Sequence, residues 1–285
     1  MNRKYTLGVG WFVLHLFFSV VNDVISKYVS INLHSFEVSF FRFAFSTLGI
    51  VLFILYKGSY NIKSSYLYIH LIRGVLLFLG ITAWTYSLSI ANMSTITVVS
   101  FSIPIFTLVL AAFFLKEKIL WPRWVIAIIG FIGLILALKP NVNDFSYRVL
   151  ICIFSAICFA TLDIINKKII KKESMIPMLF YSSIVPTILS IPLVVYYWNP
   201  PTCHDLVLLF IMGTISTNLI LFFLVRSFAL IDITAVAPYR YLELIISTIA
   251  SYFIFGDLPA KTTLCGACII IFSTLFIIYS ENKNL

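Results

Sequence analysis

The amino-acid sequence predicts an all-α integral membrane protein of ten transmembrane helices, built as two inverted five-helix repeats with both termini cytoplasmic. Three observations predict it. The 285 residues are 61% hydrophobic and 11% charged, whereas a soluble domain carries about 25% charged residues. Lysine and arginine gather in alternate short loops, which is the mark of membrane orientation rather than of nucleic-acid binding, despite a net charge of +9. The chain also nearly repeats itself 140 positions on. Asp23 and Lys27 stand in Val-Asn-Asp-Val-Ile-Ser-Lys, Asp163 and Lys167 in Thr-Leu-Asp-Ile-Ile-Asn-Lys. The same offset pairs Ile25 with Ile165, Phe40 with Phe180, Tyr56 with Tyr196, Ser87 with Ser227, Asn92 with Asp232 and Glu117 with Asp257.

A span needs about 20 apolar residues. Such runs lie near 7–29, 35–56, 66–90, 95–115, 121–139, 147–168, 176–197, 205–229, 235–255 and 262–280. The first begins with Arg3 and Lys4 as a signal peptide would. It runs on through Asn22 and Asp23 without a small-residue cleavage site, so it reads as a retained span. One set of ends and loops holds Arg3, Lys4, Lys57, Lys63, Lys116, Lys118, Arg123, Lys167, Lys168, Lys171, Lys172 and Lys283. The opposite set holds Lys27, Lys139, Arg148 and Lys261, which makes the first set cytoplasmic. Trp121, Trp124 and Trp198 fall near span ends, where indoles favour the interface. A period of five spans is odd, so the second repeat, 141–285, enters the membrane upside down relative to the first, 1–140. Inverted repeats of this kind place a substrate site near the midplane and allow two related conformations. Residues kept in both halves then read as architecture or gating, and residues found in one half as candidates for the substrate.

A charge at mid-bilayer costs about 2.5–3.5 kcal/mol on insertion scales and faces a partner or a wet cavity. Asp23 and Lys27 share a helical face at i, i+4 with the acid first, and sit toward the outer end of span 1. Asp163 and Lys167 sit toward the cytoplasmic end of span 6. Each pair either helps to close one mouth of a cavity or is an interfacial lysine with a neutralising aspartate. In span 9, Arg240 and Glu243 are three apart, between Tyr239 and Tyr241, with Glu243 about 12 Å into the membrane. Their offset equivalents, Ser100 and Ile103, are uncharged. The cluster is either a ligand contact or an internal salt bridge pinning span 9.

Arg42 and Arg226 are likewise unmatched, standing opposite Ser182 and Tyr86. Arg226 reads as a cavity group or an inward-facing anchor, and Glu37 as an exposed span-end residue. Asn92, Asp232, Glu117 and Asp257 recur at helix junctions, where caps are expected. Pro104 and Pro238 predict bends in spans 4 and 9. Trp11, Trp84, Tyr86, Phe101, Tyr239 and Tyr241 offer stacking or cation–π surfaces for a ligand, or simply pack. His15, His34, His70 and His204 have no ligand spacing, so no metal site is expected. Cys265 and Cys268 lie in the last apolar run without a nearby His or third Cys, and read as packing.

The stretch Ser94-Thr-Ile-Thr-Val-Val-Ser-Phe-Ser-Ile-Pro104, then Phe113-Phe-Leu-Lys-Glu117 and Gly130-Phe-Ile-Gly133, resembles the first repeat of the EamA family in the drug/metabolite transporter superfamily. Ala235-Val-Ala-Pro-Tyr-Arg-Tyr-Leu-Glu243, then Phe253-Ile-Phe-Gly-Asp257 and Gly266, resembles the second, with Asp257 in place of the usual glutamate. The resemblance spans essentially the whole chain. It implies a multi-pass transporter of the bacterial inner membrane working by alternating access; within the family the chain as a whole resembles transporters that import S-adenosylmethionine, with exchange for S-adenosylhomocysteine, proton coupling and uniport all open. Glu243 then suits a sulfonium or ammonium, Arg240 or Arg226 a carboxylate, and the aromatic residues, Trp84 and Phe101 among them, an adenine ring. An exporter of amino acids, drugs or other metabolites is the alternative on the same fold. An enzyme is not expected, because nucleophile, base and metal-ligand groups do not converge. No cofactor is implied, and without a Gly-x-x-x-x-Gly-Lys-Ser/Thr loop direct use of ATP within the chain is not expected.

Overall fold

The computed structural model describes residues 3–58, 62–90, 99, 101–117, 119–138, 147–256, 261, 264–272 and 276. The chain forms α1 (Arg3–Val29), α2 (Ser35–Lys57), α3 (Leu67–Ile90), α4 (Ile103–Phe114) and α5 (Trp121–Leu138). It continues with α6 (Tyr147–Ile169), α7 (Met175–Tyr196), α8 (Cys203–Leu230) and α9 (233–255). Residues 264–272 are also helical, and there is no strand among the described residues. Six of these helices (α1, α2, α3, α6, α7 and α8) are long and apolar enough to cross a membrane.

Local chemistry sets the helix boundaries. His34 and Glu37 form a capping box that starts α2, and Gly58, at φ 71°, ends it in the left-handed conformation that glycine adopts without strain. Thr202 and Asp205 form the box that starts α8. Glu37 was expected at an exposed span end, but the structure buries it completely. Its carboxylate accepts from the backbone N–H of His34 and of Asn199, tying the 30–34 loop to the 197–202 loop.

The proline expectations are also refined. Pro104 sits in the first turn of α4, where a missing N–H costs nothing, just after the turn at 101–102 that breaks span 4. Pro238 opens a 3₁₀ stretch, Ala237–Tyr241, between two α-helical parts of α9. Glu117 caps the start of α9, accepting from the N–H groups of Ile233 and Thr234 and from Thr234 Oγ1. Asn92 and Asp257 lie outside the described residues.

The helices pack in exchanged pairs. α1 lies against α8 and α3 against α6, while α2 and α7 pair with each other. One bond recurs in this exchange: His15 Nδ1 meets Ile220 O at 3.0 Å, and Ser155 Oγ donates to Gly80 O at 2.7 Å. Both its positions are shifted by 140. Residues 140 apart also meet directly. Thr47 Oγ1 and Thr187 Oγ1 are 3.4 Å apart, and the Phe101 and Tyr241 rings stack at 6.3 Å and 21°. In lipid, burial of apolar surface does not drive helices together, so close approach must come from small residues. Gly213 of α8 lies where a Cβ would stand 2.5 Å from Phe45 Cβ and 2.9 Å from Arg42 O on α2.

At the end carrying the 170–174 loop, Phe12, Leu16, Phe228, Ile233, Val236 and Tyr239 form one buried cluster. Tyr5 and Tyr239 share a hydroxyl hydrogen bond of 3.0 Å there. Lys167 Nζ donates to Phe228 O and Ile231 O, covering the end of α8. The same end holds Arg73, fully buried, with Nε on Asn166 Oδ1 at 2.7 Å and Nη1 on His70 Nδ1 at 2.8 Å. His70 Nε2 and Ser64 both reach Glu173.

Candidate substrate site

Four segments converge on a polar column inside the bundle. On α1, Ser19, Asn22 and Asp23 follow the i, i+3, i+4 spacing that places side chains on one face. α2 contributes Arg42, and α9 contributes Arg240 and Glu243. The fourth segment is Met212–Thr217, a π-helical turn inside α8. Such turns loosen the backbone ladder. Here Asn218 repairs it, its Nδ2 donating to Thr214 O at 3.0 Å and to Ser46 O at 3.1 Å on α2.

The column runs Arg42, Asp23, Glu243, Arg240, Asp163. Asp23 has Glu243 and Arg42 as its electrostatic neighbours, and Glu243 has Arg240. Ser19 Oγ donates to Glu243 Oε1 at 2.6 Å. Asp163 Oδ2 accepts from Arg240 Nη2 at 2.8 Å in an ion pair whose side chains are 15% (Arg240) and 6% (Asp163) exposed. Asp23 lies six residues before the end of α1 and Asp163 six before the end of α6. Each is thus about 9 Å from opposite ends of the bundle. Ser19, ten residues from the end of α1, is about 15 Å deep, the middle of a membrane about 30 Å thick.

The arrangement is open at one level and shut at another. Asp23 is exposed and forms no hydrogen bond or ion pair among the described residues, while Arg42 and Glu243 are half-buried. Asp23 thus stays accessible while charged groups of α2 and α9 lie beside it. Arg42 is held from behind. With its amide oxygen facing the guanidinium, Asn22 accepts from Arg42 Nη2 at 3.0 Å and Nε at 3.1 Å, and donates to Ser216 Oγ at 2.7 Å. Ser216 Oγ donates in turn to Phe18 O at 3.0 Å. Below Arg240 the site narrows to a crevice too tight for a water molecule, lined by Phe12, Thr107, Asp163, Phe228, Val236 and Arg240.

The structure thus brings Glu243, Arg240, Asp23 and Asp163 together and separates the other candidates from them. Tyr239 is 1% exposed and bonded to Tyr5. Tyr241 is equally buried, donates to Ala127 O at 2.9 Å and fits its ring over Gly130. Phe101 stacks on Tyr241. Trp84 packs against Val99 and Cys152. Arg226 is exposed and lies over the Phe222 ring at 5.3 Å on its own helix. Lys27 is exposed at the end of α1, whereas Lys167 binds backbone carbonyls. Ser100, the offset equivalent of Arg240, lies outside the described residues.

Sequence reasoning passed over Ser19, Asn22, Ser216 and the Arg73 network. The signal for Asn22 was present: a carboxamide beside Asp23 in an apolar run, with Leu162 at the equivalent position.

The fold and this column define a multi-pass membrane transporter rather than an enzyme. The chain belongs to the EamA-like transporter family, whose model matches it twice, over residues 6–139 and 147–279. It is 57% identical to the S-adenosylmethionine uptake transporter of Rickettsia conorii, over 99% of this chain and 96% of that protein. It is 28% identical to the riboflavin transporter of Vibrio cholerae, over 94% of this chain and 91% of that one. A solved crystal structure, 12% identical, superposes with a TM-score of 0.81 over 99% of both chains, which shows the shared fold.

Proposed function

We propose that this chain is a secondary transporter that imports S-adenosylmethionine across a bacterial inner membrane by alternating access. The observation that carries the substrate is the 57% identity, over nearly the full length, to a protein of that activity. The site's chemistry supports it. S-adenosylmethionine carries a sulfonium, an ammonium and a carboxylate, and the column offers Asp23 and Glu243 for the cations and guanidinium groups for the anion. Glu243 contacts the substrate at mid-depth. Arg240 does so when released from Asp163, with Tyr239, Tyr241 and Phe101 forming the wall behind them.

The same reading gives ten spans in two inverted repeats, 1–140 and 141–285, with cytoplasmic termini. Support comes from the exchanged helix pairs and from the meeting of Thr47 with Thr187 and Phe101 with Tyr241. Contacts between equivalent residues arise where a two-fold axis passes. Asp163 with Arg240, backed by Lys167 where it bonds to the end of α8, then closes the cytoplasmic mouth, and Asp23 with Lys27 serves the outer one.

Uptake of radiolabelled S-adenosylmethionine by cells expressing the chain tests this, beside a Glu243→Gln variant. Saturable uptake that falls about tenfold or more in the variant is expected, the loss of a charge-assisted contact being worth about 1.5–3 kcal/mol. Absence of uptake with the protein in the membrane overturns the substrate.

A further inference from the structure

We infer that Arg42 is the group that reads the substrate's carboxylate, and that Asn22 is the positioning residue that aims it; this rests on the substrate reading above. A guanidinium offers five N–H donors along separate edges, and one edge matches the two oxygens of a carboxylate. Asn22 takes Nε and Nη2 of Arg42 with a single amide oxygen, leaving the Nη1 side unused by any described residue. Arg42 makes no ion pair among the described residues and is half-buried at the exposed Asp23.

The contrast with Arg73 shows what a structural arginine looks like in this bundle. Arg73 has no exposure and spends its donors on Asn166, His70 and Met178 O. Arg42 is fixed along one edge and presented along the other.

The choice of amide matters. An aspartate at position 22 would orient Arg42 equally well but would cancel its charge. Asn22 is wholly buried, its nitrogen anchored on Ser216 and, through it, on the backbone of Phe18. That chain fixes the guanidinium while leaving its positive charge for a ligand. Asp23, the next residue, is an exposed acceptor beside it, as the ammonium on the carboxylate-bearing carbon requires. The proposed specificity is therefore for a cationic substrate that keeps a free α-amino-acid end.

The test compares S-adenosylmethionine with its decarboxylated form as competitors of labelled S-adenosylmethionine uptake, in the wild type, Arg42→Gln and Asn22→Asp. The decarboxylated form should compete about tenfold or more weakly against the wild type. In both variants that preference should shrink to within about twofold, since a competition ratio is independent of expression level. Thermal stabilisation of the purified full chain by each compound makes the same comparison for a variant that binds without transporting. A wild type that discriminates, with variants that keep its ratio, makes Arg42 structural and overturns the inference. So does a wild type that transports without discriminating, or a variant that loses both ligands alike. A wild type that takes up no S-adenosylmethionine overturns the substrate reading instead.

Discussion

Asp23 and Asp163 occupy the same place in two similar stretches of sequence, each four residues before a lysine and six before the end of its helix. Their surroundings are opposite. Asp163 is buried and paired with Arg240, beneath a packed cluster that Lys167 and Glu117 tie to neighbouring backbone. Asp23 is exposed, with Arg42 and Glu243 nearby and no bonded partner among the described residues. On the alternating-access reading proposed above, equivalent sequence in unequal environments is what one resting state of the bundle displays. The 170–174 end is packed over the Asp163–Arg240 pair, while Asp23 stays accessible on the side of the 30–34 loop.

The largest effect is expected from Asp163→Asn. Removing one partner of a buried pair leaves the other charge uncompensated, at a cost of about 3–5 kcal/mol. The variant should melt well below the wild type in detergent, and Asp163→Asn combined with Arg240→Gln should recover much of the loss. If the single variant melts like the wild type, the pair does not hold that end shut. Asp23→Asn should do the reverse. Its melting should stay within about 0.5 kcal/mol of the wild type, as for other exposed substitutions, while uptake collapses. Equal damage from both variants to stability would erase the distinction between the two ends.

Much of this contrast was legible in the sequence, and the illegible part has physical causes. The offset of 140 located both aspartates, and the failure of Arg240, Glu243 and Arg42 to recur marked the column. Apolar length gave α1–α3 and α5–α9 to within a few residues, whereas span 4, read as 95–115, has its helix α4 only from Ile103. What spacing could not give is where a side chain ends. Tyr239 and Tyr241 flank Arg240 in sequence, yet a 3₁₀ turn and the close approach of Gly130 send both rings into packing. The π-helical turn at Met212–Thr217 follows from contacts with α1 and α2, and its sequence, Met-Gly-Thr-Ile-Ser-Thr, has no period that announces it. Glu37 was read as exposed because it stands at a span end. Only the approach of Asn199, 162 residues away, buries it.

A smaller effect separates the loop clasps. Burial pushes the Glu173 carboxyl up, but hydrogen bonds from Ser64, the Ser174 N–H and His70 outweigh it and hold the group below its ordinary value of 4.5. A depressed carboxylate contributes stability that is present above the unfolded value and lost as pH falls through the folded one. Acid should therefore loosen the shut end, by about 1 kcal/mol or less for a single half-buried group at the rim of the bundle. Glu173→Gln should flatten that part of the melting curve's dependence on pH. An unchanged acid limb would assign it to other groups.

The smallest expected effect is none, and it tests the two-state reading most directly. If the second state arises by the two repeats exchanging conformations, every contact between positions i and j is replaced by the contact of their equivalents. The pair Asp163–Arg240 then maps onto Asp23 and Ser100, so it must break. The pair Thr47–Thr187 maps onto itself, since each residue is the other's equivalent, and its separation of 3.4 Å is the same before and after. A bifunctional crosslink between cysteines placed at 47 and 187 should therefore leave uptake near that of the uncrosslinked variant. A crosslink between cysteines at 163 and 240 should stop it. Inhibition by the 47–187 link would mean that α2 and α7 slide past each other during transport. The inverted repeat would then not be the symmetry that the motion follows.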